Sequence, residues 1–299
     1  MNYISLSDYL KNKYHTKVYK LSLTTGCTCP NRDGTISYGG CIFCSEGGSG
    51  DFAATEKDLT EQIKSARAKV DAKIPSKIPL NERKYIAYFQ SYTNTYGDEE
   101  YLKKLFEQVS EFPEIVGISI GTRPDCLSND MISFLGELNK KLEVWVELGL
   151  QTIHEDTAVL INRGYTLPVF EDSYQRLSAA GIKVVVHVIL GLPGETVEDM
   201  LSTVDYLAKL SPELFGIKLQ LLHILRGTKL AAMYEKEPFH VFTLEEYCEV
   251  VGKCLKLLPN DMVIHRITGD GPKKLLIAPT WSGNKKLVMN TMRKYISEL

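Results

Sequence analysis

The sequence predicts an α/β fold built on a parallel β-sheet, open or barrel-like, and three observations carry that expectation. Six short runs rich in Val, Ile, Leu and aromatic residues recur between residues 17 and 222, and the middle ones are nearly continuous in apolar residues. That is the pattern of parallel strands buried on both faces. Amphipathic helical stretches alternate with them, so six β-then-α units follow one another and form the only repeat. Finally, hydrophobic residues make up 44% and charged residues 24% of the chain, ordinary for a globular protein with a sizeable core rather than a disordered or collagen-like chain.

The first strand is expected at 17–23 (KVYKLSL), followed by the helical pattern EKDLTEQIKSARAKV. The second, KYIAYFQ (84–90), precedes DEEYLKKLFEQVSEF. The third, IVGISIG (115–121), precedes SNDMISFLGELNKK, where Ser128 or Asn129 supplies the N-cap. The fourth, LEVWVEL (142–148), precedes VFEDSYQRLSAAG, which stops at Gly181. The fifth, KVVVHVIL (183–190), precedes TVEDMLSTVDYLAKL, with Thr196 as N-cap and Glu198 and Asp199 at the positive helix end. The sixth is FGIKLQLL (215–222). Beyond it the pattern changes to a polar stretch, a helix around 243–258, a short strand near 263–267, a Gly/Pro-rich loop and a final helix from about Lys285. Residues 1–222 therefore read as a core with its N-terminal segment, and 223–299 as a C-terminal extension packed on that core.

No run of 18 apolar residues is present, and the N-terminus has neither an apolar segment nor a small-residue cleavage site. The expectation is no membrane association, no export and a cytoplasmic location. In that setting seven cysteines favour metal binding or catalysis over disulfides. Cys248 and Cys254, at helical spacing, are expected in the core. Cys27, Cys29, Cys41 and Cys44 cluster after the first strand, where sheets of this kind place their chemistry. The Cys41/Cys44 pair offers two adjacent thiolates, and Gly34, Gly39 and Gly40 supply turns that let a third return to them. A closed zinc site wants four ligands, and no second CxxC or nearby His is present. Three thiolates suit a [4Fe–4S] cluster with one open iron; zinc and redox thiols remain the alternatives.

Cys29-x11-Cys41-x2-Cys44, with Phe43 before the last cysteine, resembles the cluster motif of radical S-adenosylmethionine (SAM) enzymes, whose standard spacing is C-x3-C-x2-C. The longer form, CPNRDG with GGCIFC, is similar to the YtqA/YhcC subgroup, related to the catalytic subunit of Elongator. FQSYTNTY (89–96), GTRPDCL (121–127), ELGLQT (147–152), INRGYT (161–166) and HVILGLPGET (187–196) extend the resemblance over the chain. It implies a partial (β/α)6 barrel with a C-terminal α+β extension. It also implies that Cys29, Cys41 and Cys44, and not Cys27, hold the cluster and serve catalysis.

SAM would be met by Phe43, by Gln90, Thr93 and Asn94, by Thr122, by Gln151 and Arg163 at the ribose and carboxylate, and by Gly191 in the adenosine loop. The neighbouring Arg123 and Asp125 share the end of the third strand. Glu147, a charge on an apolar strand, needs a partner, expected to be SAM or an arginine. His187, Lys218, Gln220 and His223 are candidates to face substrate.

The net charge is −2 overall, which by itself points to no nucleic acid. From Val263 onward, however, Arg266, Lys273, Lys274, Lys285, Lys286, Arg293 and Lys294 face only Asp270 and Glu298. Lys11, Lys13, Lys17 and Lys20 add to this near the N-terminus, with Tyr38 and Trp281 as aromatic neighbours. Such a surface suits an RNA backbone.

The resemblance implies a tRNA-modifying enzyme. Its substrate would be the wobble 5-carboxymethylaminomethyl-(2-thio)uridine and its product 5-aminomethyl-(2-thio)uridine, formed through a 5′-deoxyadenosyl radical. A reductant such as flavodoxin or ferredoxin and a downstream tRNA methyltransferase would be partners. The alternatives are a radical SAM enzyme acting on a porphyrin-like small molecule, and a non-catalytic metal-binding protein.

Overall fold

The computed structural model describes residues 3–48, 50, 53–54, 56–75, 78–269 and 271–299. In chain order the elements are β1 (Ile4–Ser5), α1 (Leu6–Tyr14), β2 (Val18–Leu23), α2 (Leu59–Asp71), β3 (Lys84–Phe89), α3 (Glu99–Val109), β4 (Ile115–Thr122), α4 (Asn129–Leu138), β5 (Glu143–Gln151), α5 (Glu155–Leu160), α6 (Leu167–Ala179), β6 (Lys183–Leu190), α7 (Val197–Ala208), β7 (Gly216–Leu221), β8 (Ile224–Leu225), α8 (Lys229–Lys236), α9 (Leu244–Leu257), β9 (Val263–Arg266), β10 (Leu276–Ala278) and α10 (Lys285–Glu298). The main sheet has the order β1-β9-β7-β6-β5-β4-β3-β2, and every pairing in it is parallel.

The six expected strands form β2 to β7 in sequence order. Side chains on β5 and β6 alternate as their apolar runs require. Val144, Val146, Leu148, Leu150, Val184, Val186, Val188 and Leu190 join the main core with residues of the surrounding helices. The opposite face of the sheet is partly polar. Lys20 of β2 and Lys218 of β7 both reach Glu147 of β5, and Lys218 also reaches Tyr88 of β3. In a flat sheet, strands spaced about 4.8 Å apart would hold β2 and β7 on the order of 24 Å from each other. The shared carboxylate requires the sheet to curl into a partial barrel with these groups in its lumen.

Local chemistry sets the helix ends. Ser128 caps α4 by accepting from the Met131 N–H, and Thr196 with Asp199 forms a capping box on α7. Gly181 ends α6 at φ +71°, in the left-handed region where glycine carries no Cβ penalty.

The C-terminal segment is tied into the sheet, because β9 lies between β7 and β1. The chain's start also has structure that its composition did not announce. Tyr9, Lys13 and Tyr14 of α1 converge with Lys183 on Glu143, at the N-terminal end of β5. These partners hold the Glu143 carboxyl down to about 2 against the cost of its burial, and Trp145, Phe215 and His265 pack beside them. Cys248 and Cys254 are buried in the core as expected. Among the described residues no helix is long and apolar enough to cross a membrane.

Candidate functional site

A cavity of about 260 Å³ opens at the C-terminal ends of the parallel strands, and Cys29, Cys41 and Cys44 all line it. The loop after β2 brings them there despite eleven intervening residues between the first two. The Gly40 N–H donates to the Asn31 carbonyl at 2.7 Å. That bond closes a neck, and residues 32–39 project from it as an excursion turned by an Asp33–Tyr38 bridge. Across the neck the path from Cys29 to Cys41 runs Pro30, Asn31, Gly40. It is three residues long, so the eleven-residue gap folds down to the standard three-residue spacing.

Asn31 anchors this neck. It is fully buried, and its amide nitrogen donates to the carbonyls of Asn162 (2.6 Å) and Arg163 (3.1 Å) and approaches the Cys41 sulfur at 3.7 Å. Gly164, at φ +81°, sits against it: a Cβ there would lie 2.5 Å from Asn31 Oδ1. Arg32 fixes the second pair by donating to the carbonyls of Cys44 and Ser45 while stacking on Tyr92. Burial and the adjacent Cys44 push the Cys41 thiol up to about 12, so the proton leaves only on ligation. Three thiols with no histidine in the loop fit the donor chemistry of an iron–sulfur cluster with one corner open. Among the described residues, no three His, Cys, Asp or Glu side chains close around a point that would hold a single metal ion.

Of the expected SAM contacts, Phe43, Gln90, Thr93, Thr122, Glu147, Gln151 and Arg163 line the cavity, as do His187, Gln220 and His223. Gln151 does so from φ +66°, a costly backbone state for a residue with a Cβ, of a kind that clusters at functional sites.

Other expected contacts lie off the cavity or are engaged elsewhere. Asn94 is buried off the cavity, accepting from the Thr25 hydroxyl (3.0 Å) and donating to the Gly121 carbonyl (2.8 Å). Gly191 also lies outside the lining, its backbone facing the Phe242 ring. Arg163 is 1% exposed, and its guanidinium donates to the carbonyls of Leu150, Thr152 and Tyr165 and to Glu155. It braces the turn after β5, and a carboxylate clamp there would have to break those bonds. Arg123 grips Asp125 through two bonds (2.9 and 2.7 Å) and donates to the Arg163 carbonyl.

The hydrogen bonds that Glu147 accepts within the protein come from lysines, a serine and a histidine rather than from an arginine. It accepts from Lys20 (3.1 Å), Ser119 (2.6 Å), His187 (2.8 Å) and Lys218. These four bonds fill its lone pairs. Lys20 and Lys218 hold the carboxyl well below its usual range even though burial works against ionisation. His187 goes the other way, pushed down to about 4 by burial and by Lys218. It is a neutral ring donating from Nε2.

The basic surface is also redrawn. Lys20 is committed to the lumen, Lys13 to Glu143, and Arg266 lines the cavity. Trp281 donates to the Phe242 carbonyl and packs on Tyr247, while Tyr38 is 75% exposed. Lys273, Lys274, Lys285, Lys286, Arg293 and Lys294 remain exposed; Asp270 lies outside the described residues. Asn31, Arg32 and Tyr165 carried no functional assignment from sequence. Asn31 and Arg32 stood inside the CPNRDG motif, which was the available signal.

Residues 24–207 match the Radical SAM superfamily, and residues 215–298 match the Radical SAM C-terminal domain. The chain is 43% identical over 293 residues to YtqA of Bacillus subtilis, covering 98% of this chain and 88% of that one. It is 35% identical over 290 residues to YhcC of Escherichia coli K12, covering 97% and 90%. Elongator complex protein 3 of Mus musculus is a more distant relative, 24% identical over 292 residues; the match covers 85% of this chain but 52% of that protein. In structure the chain resembles the archaeal Methanocaldococcus infernus Elp3, with a TM-score of 0.65 at 20% identity. That match covers 93% of this chain and 63% of that one.

Proposed function

Because the chain belongs to the radical SAM superfamily, we propose that it is an enzyme acting on tRNA, removing the carboxymethyl part of wobble 5-carboxymethylaminomethyl-(2-thio)uridine to leave the 5-aminomethyl nucleoside; the C–N bond breaks after the glycine-like methylene gives up one hydrogen atom and then one electron to a one-electron acceptor and one proton to solvent, and water adds so that the two carbons depart as glyoxylate. Enzymes of this superfamily bind a [4Fe–4S] cluster and SAM. When bound, these cofactors supply a 5′-deoxyadenosyl radical that takes hydrogen from substrate. The observation that carries the reading is the neck that returns Cys29, Cys41 and Cys44 to one cavity wall. These three residues are the cluster ligands of the proposal, and Cys27 is not among them.

The protein's own part is to orient and to shield. Arg32 holds the Cys44–Ser45 backbone in place. Gln90, Thr93, Thr122 and Gln151 offer polar groups to SAM at the strand ends, with Phe43 beside them. Ile189, Leu221, Leu222 and Leu225 supply an apolar wall that limits water around a reactive intermediate. The link to RNA rests on the relation to Elongator and on the exposed lysines and arginine of the C-terminal segment, which suit a phosphate backbone. Nucleoside mass spectrometry of tRNA from cells with and without the protein tests the substrate. Loss of the protein should raise 5-carboxymethylaminomethyl nucleosides at the expense of the aminomethyl form. Unchanged nucleosides would refute the reading.

A further inference from the structure

The neck alone sets the cysteine spacing, so residues 33–39 of the excursion are surplus to it. They are nonetheless held at several points. The Gly34 N–H donates to the Ser37 carbonyl (3.2 Å) and the Ile36 N–H to the Pro30 carbonyl (2.9 Å). The Thr35 and Tyr96 hydroxyls share a hydrogen bond at 2.8 Å, and the Asn162 amide donates to the Ser37 hydroxyl at 2.9 Å. Tyr38 closes the excursion and is 75% exposed, yet its ring is seated. A Cβ on Gly34 would lie 2.6, 2.6 and 2.7 Å from Tyr38 Cζ, Oη and Cε1. Near-equal distances to these three bonded atoms put that point above the ring plane. One face of the ring therefore rests on Gly34, whose φ of +94° suits a residue without a Cβ, and the other face is open.

The excursion meets a basic ridge. Lys229 opens α8 and donates from Nζ to the Tyr38 carbonyl at 3.2 Å, while the Leu230 N–H beside it donates to the Ile42 carbonyl of the cysteine loop at 2.9 Å. Arg226 stands on the corner between β8 and α8. Its backbone N–H donates to the Leu275 carbonyl at 2.7 Å, which sets the turn carrying Lys273 and Lys274 against it. All four cations are exposed, and none forms an ion pair with a described residue. The acid on the excursion, Asp33, accepts from the Thr35 N–H at 3.0 Å. The ridge borders the cavity, because Gly40, Leu225 and Pro272 line it. Gly40 follows Tyr38 by two residues, Leu225 precedes Arg226 and Pro272 precedes Lys273.

We infer that this rim is where a single-stranded stretch of the tRNA docks, the open Tyr38 face stacking the base next to the one that enters the cavity and Arg226, Lys229, Lys273 and Lys274 holding phosphates. Chemistry on a base needs that base out of its stack. Its neighbour then loses a stacking partner, and an aromatic face at the cavity mouth replaces it. The hydrogen bonds of the excursion fix the ring before RNA arrives, so little ordering opposes the contact. Charge favours nucleic acid over a protein partner. Protein interfaces are depleted in lysine at their cores, whereas four exposed cations beside one aromatic face suit a backbone with a charge at every nucleotide. The inference rests on the tRNA reading and adds where the RNA lies and which residues hold it.

The test measures binding of the cluster-loaded protein to an anticodon stem-loop RNA, with a fully paired RNA duplex for comparison, across a series of salt concentrations. Tyr38→Ala should weaken stem-loop binding about 5- to 100-fold with an unchanged salt slope. Tyr38→Trp should restore it, and the duplex should register neither change. Arg226→Gln and Lys229→Gln should each weaken binding and lower the stem-loop salt slope by about 0.7. Lys104→Gln, the same charge change out on α3, should leave the slope as it is. Equal losses on stem-loop and duplex in Tyr38→Ala, or no loss on either, overturn the stacking face. Unchanged slopes in Arg226→Gln and Lys229→Gln overturn the phosphate ridge. Slower SAM cleavage by these variants without RNA, seen with flavodoxin but not with dithionite as reductant, would give the rim to the electron donor and overturn the inference. Variants that bind and convert tRNA as the parent does refute the rim but leave the tRNA reading standing. Binding losses as predicted, in a protein that leaves tRNA nucleosides untouched, refute the wobble reaction but leave the rim.

Discussion

Replacing Asn31 by Ala should cost the protein its cluster while leaving its fold intact. The side chain donates two hydrogen bonds, to the carbonyls of Asn162 and Arg163. Their loss is unequal. The Arg163 carbonyl keeps a bond from Arg123 at 2.8 Å, so it forfeits roughly 0.5–1.5 kcal/mol. For the half-buried Asn162 carbonyl, Asn31 is the hydrogen-bonding partner seen among the described residues, so leaving it unpaired costs about 1–3 kcal/mol. The sum, roughly 1.5–4.5 kcal/mol, falls on the neck that sets the Cys29–Cys41 spacing, so cluster retention should weaken by about 10- to 2,000-fold. The assay is iron content after anaerobic reconstitution and a timed chelator challenge, with the thermal transition recorded alongside. Variant and parent should melt within a few degrees of each other, while the variant loses iron far faster. Equal iron retention would refute the claim that the Asn31 neck organises the ligand set.

Gly164→Ala should act through the same neck, since its Cβ would meet Asn31 Oδ1 at 2.5 Å from a left-handed backbone; normal iron retention in this variant would contradict that. Glu147→Gln leaves the buried Lys218, and the half-buried Lys20 beside it, without their counter-charge and should destabilise by about 3–5 kcal/mol, with Lys218→Met in the same chain recovering part of the loss. Urea unfolding of the single and double variants checks it, and no loss in the single variant would sink the argument. His187 lies at about 4 in the folded chain against its ordinary 6.5. Its folded value is the lower one, so its contribution is whole above pH 6.5 and is lost as pH falls toward 4, by at most about 3 kcal/mol. His187→Gln should flatten unfolding free energy against pH across that window, and an unchanged slope would be evidence against a neutral, buried ring.

The strands were legible because each interior run is dominated by apolar residues over seven or eight positions, and the observed β2 to β7 fall within a few residues of those expectations. The caps at Ser128 and Thr196 were legible because a hydroxyl before a helix has one dominant use. The N-terminal β1 and α1 were not: two strand residues carry no period, and α1 buries only Leu10. Within the site, the cysteines declared themselves by spacing. Arg163 and Asn94 did not, since a sequence shows that an arginine or an amide is near a strand end but not which carbonyls it will satisfy. Arg266 was counted with the outer basic surface because alternation is read residue by residue, whereas it lines the cavity beyond a register break between β7 and β9, where Lys218 pairs with Arg266 past His265, and that is a pairing event between two distant segments. Lys20 was misplaced for a related reason: only the curl of the sheet brings β2 and β7 to one carboxylate.

The most direct test of the central claim is an anaerobic assay of the cluster-loaded protein with SAM, a reductant and tRNA bearing 5-carboxymethylaminomethyluridine, following 5′-deoxyadenosine and the modified nucleoside together. The account predicts that both appear in step, with 5-aminomethyluridine replacing the carboxymethylated form, and that both vanish when Cys29, Cys41 or Cys44 is replaced by Ala but not when Cys27 is. Formation of 5′-deoxyadenosine with the tRNA nucleosides untouched would contradict it.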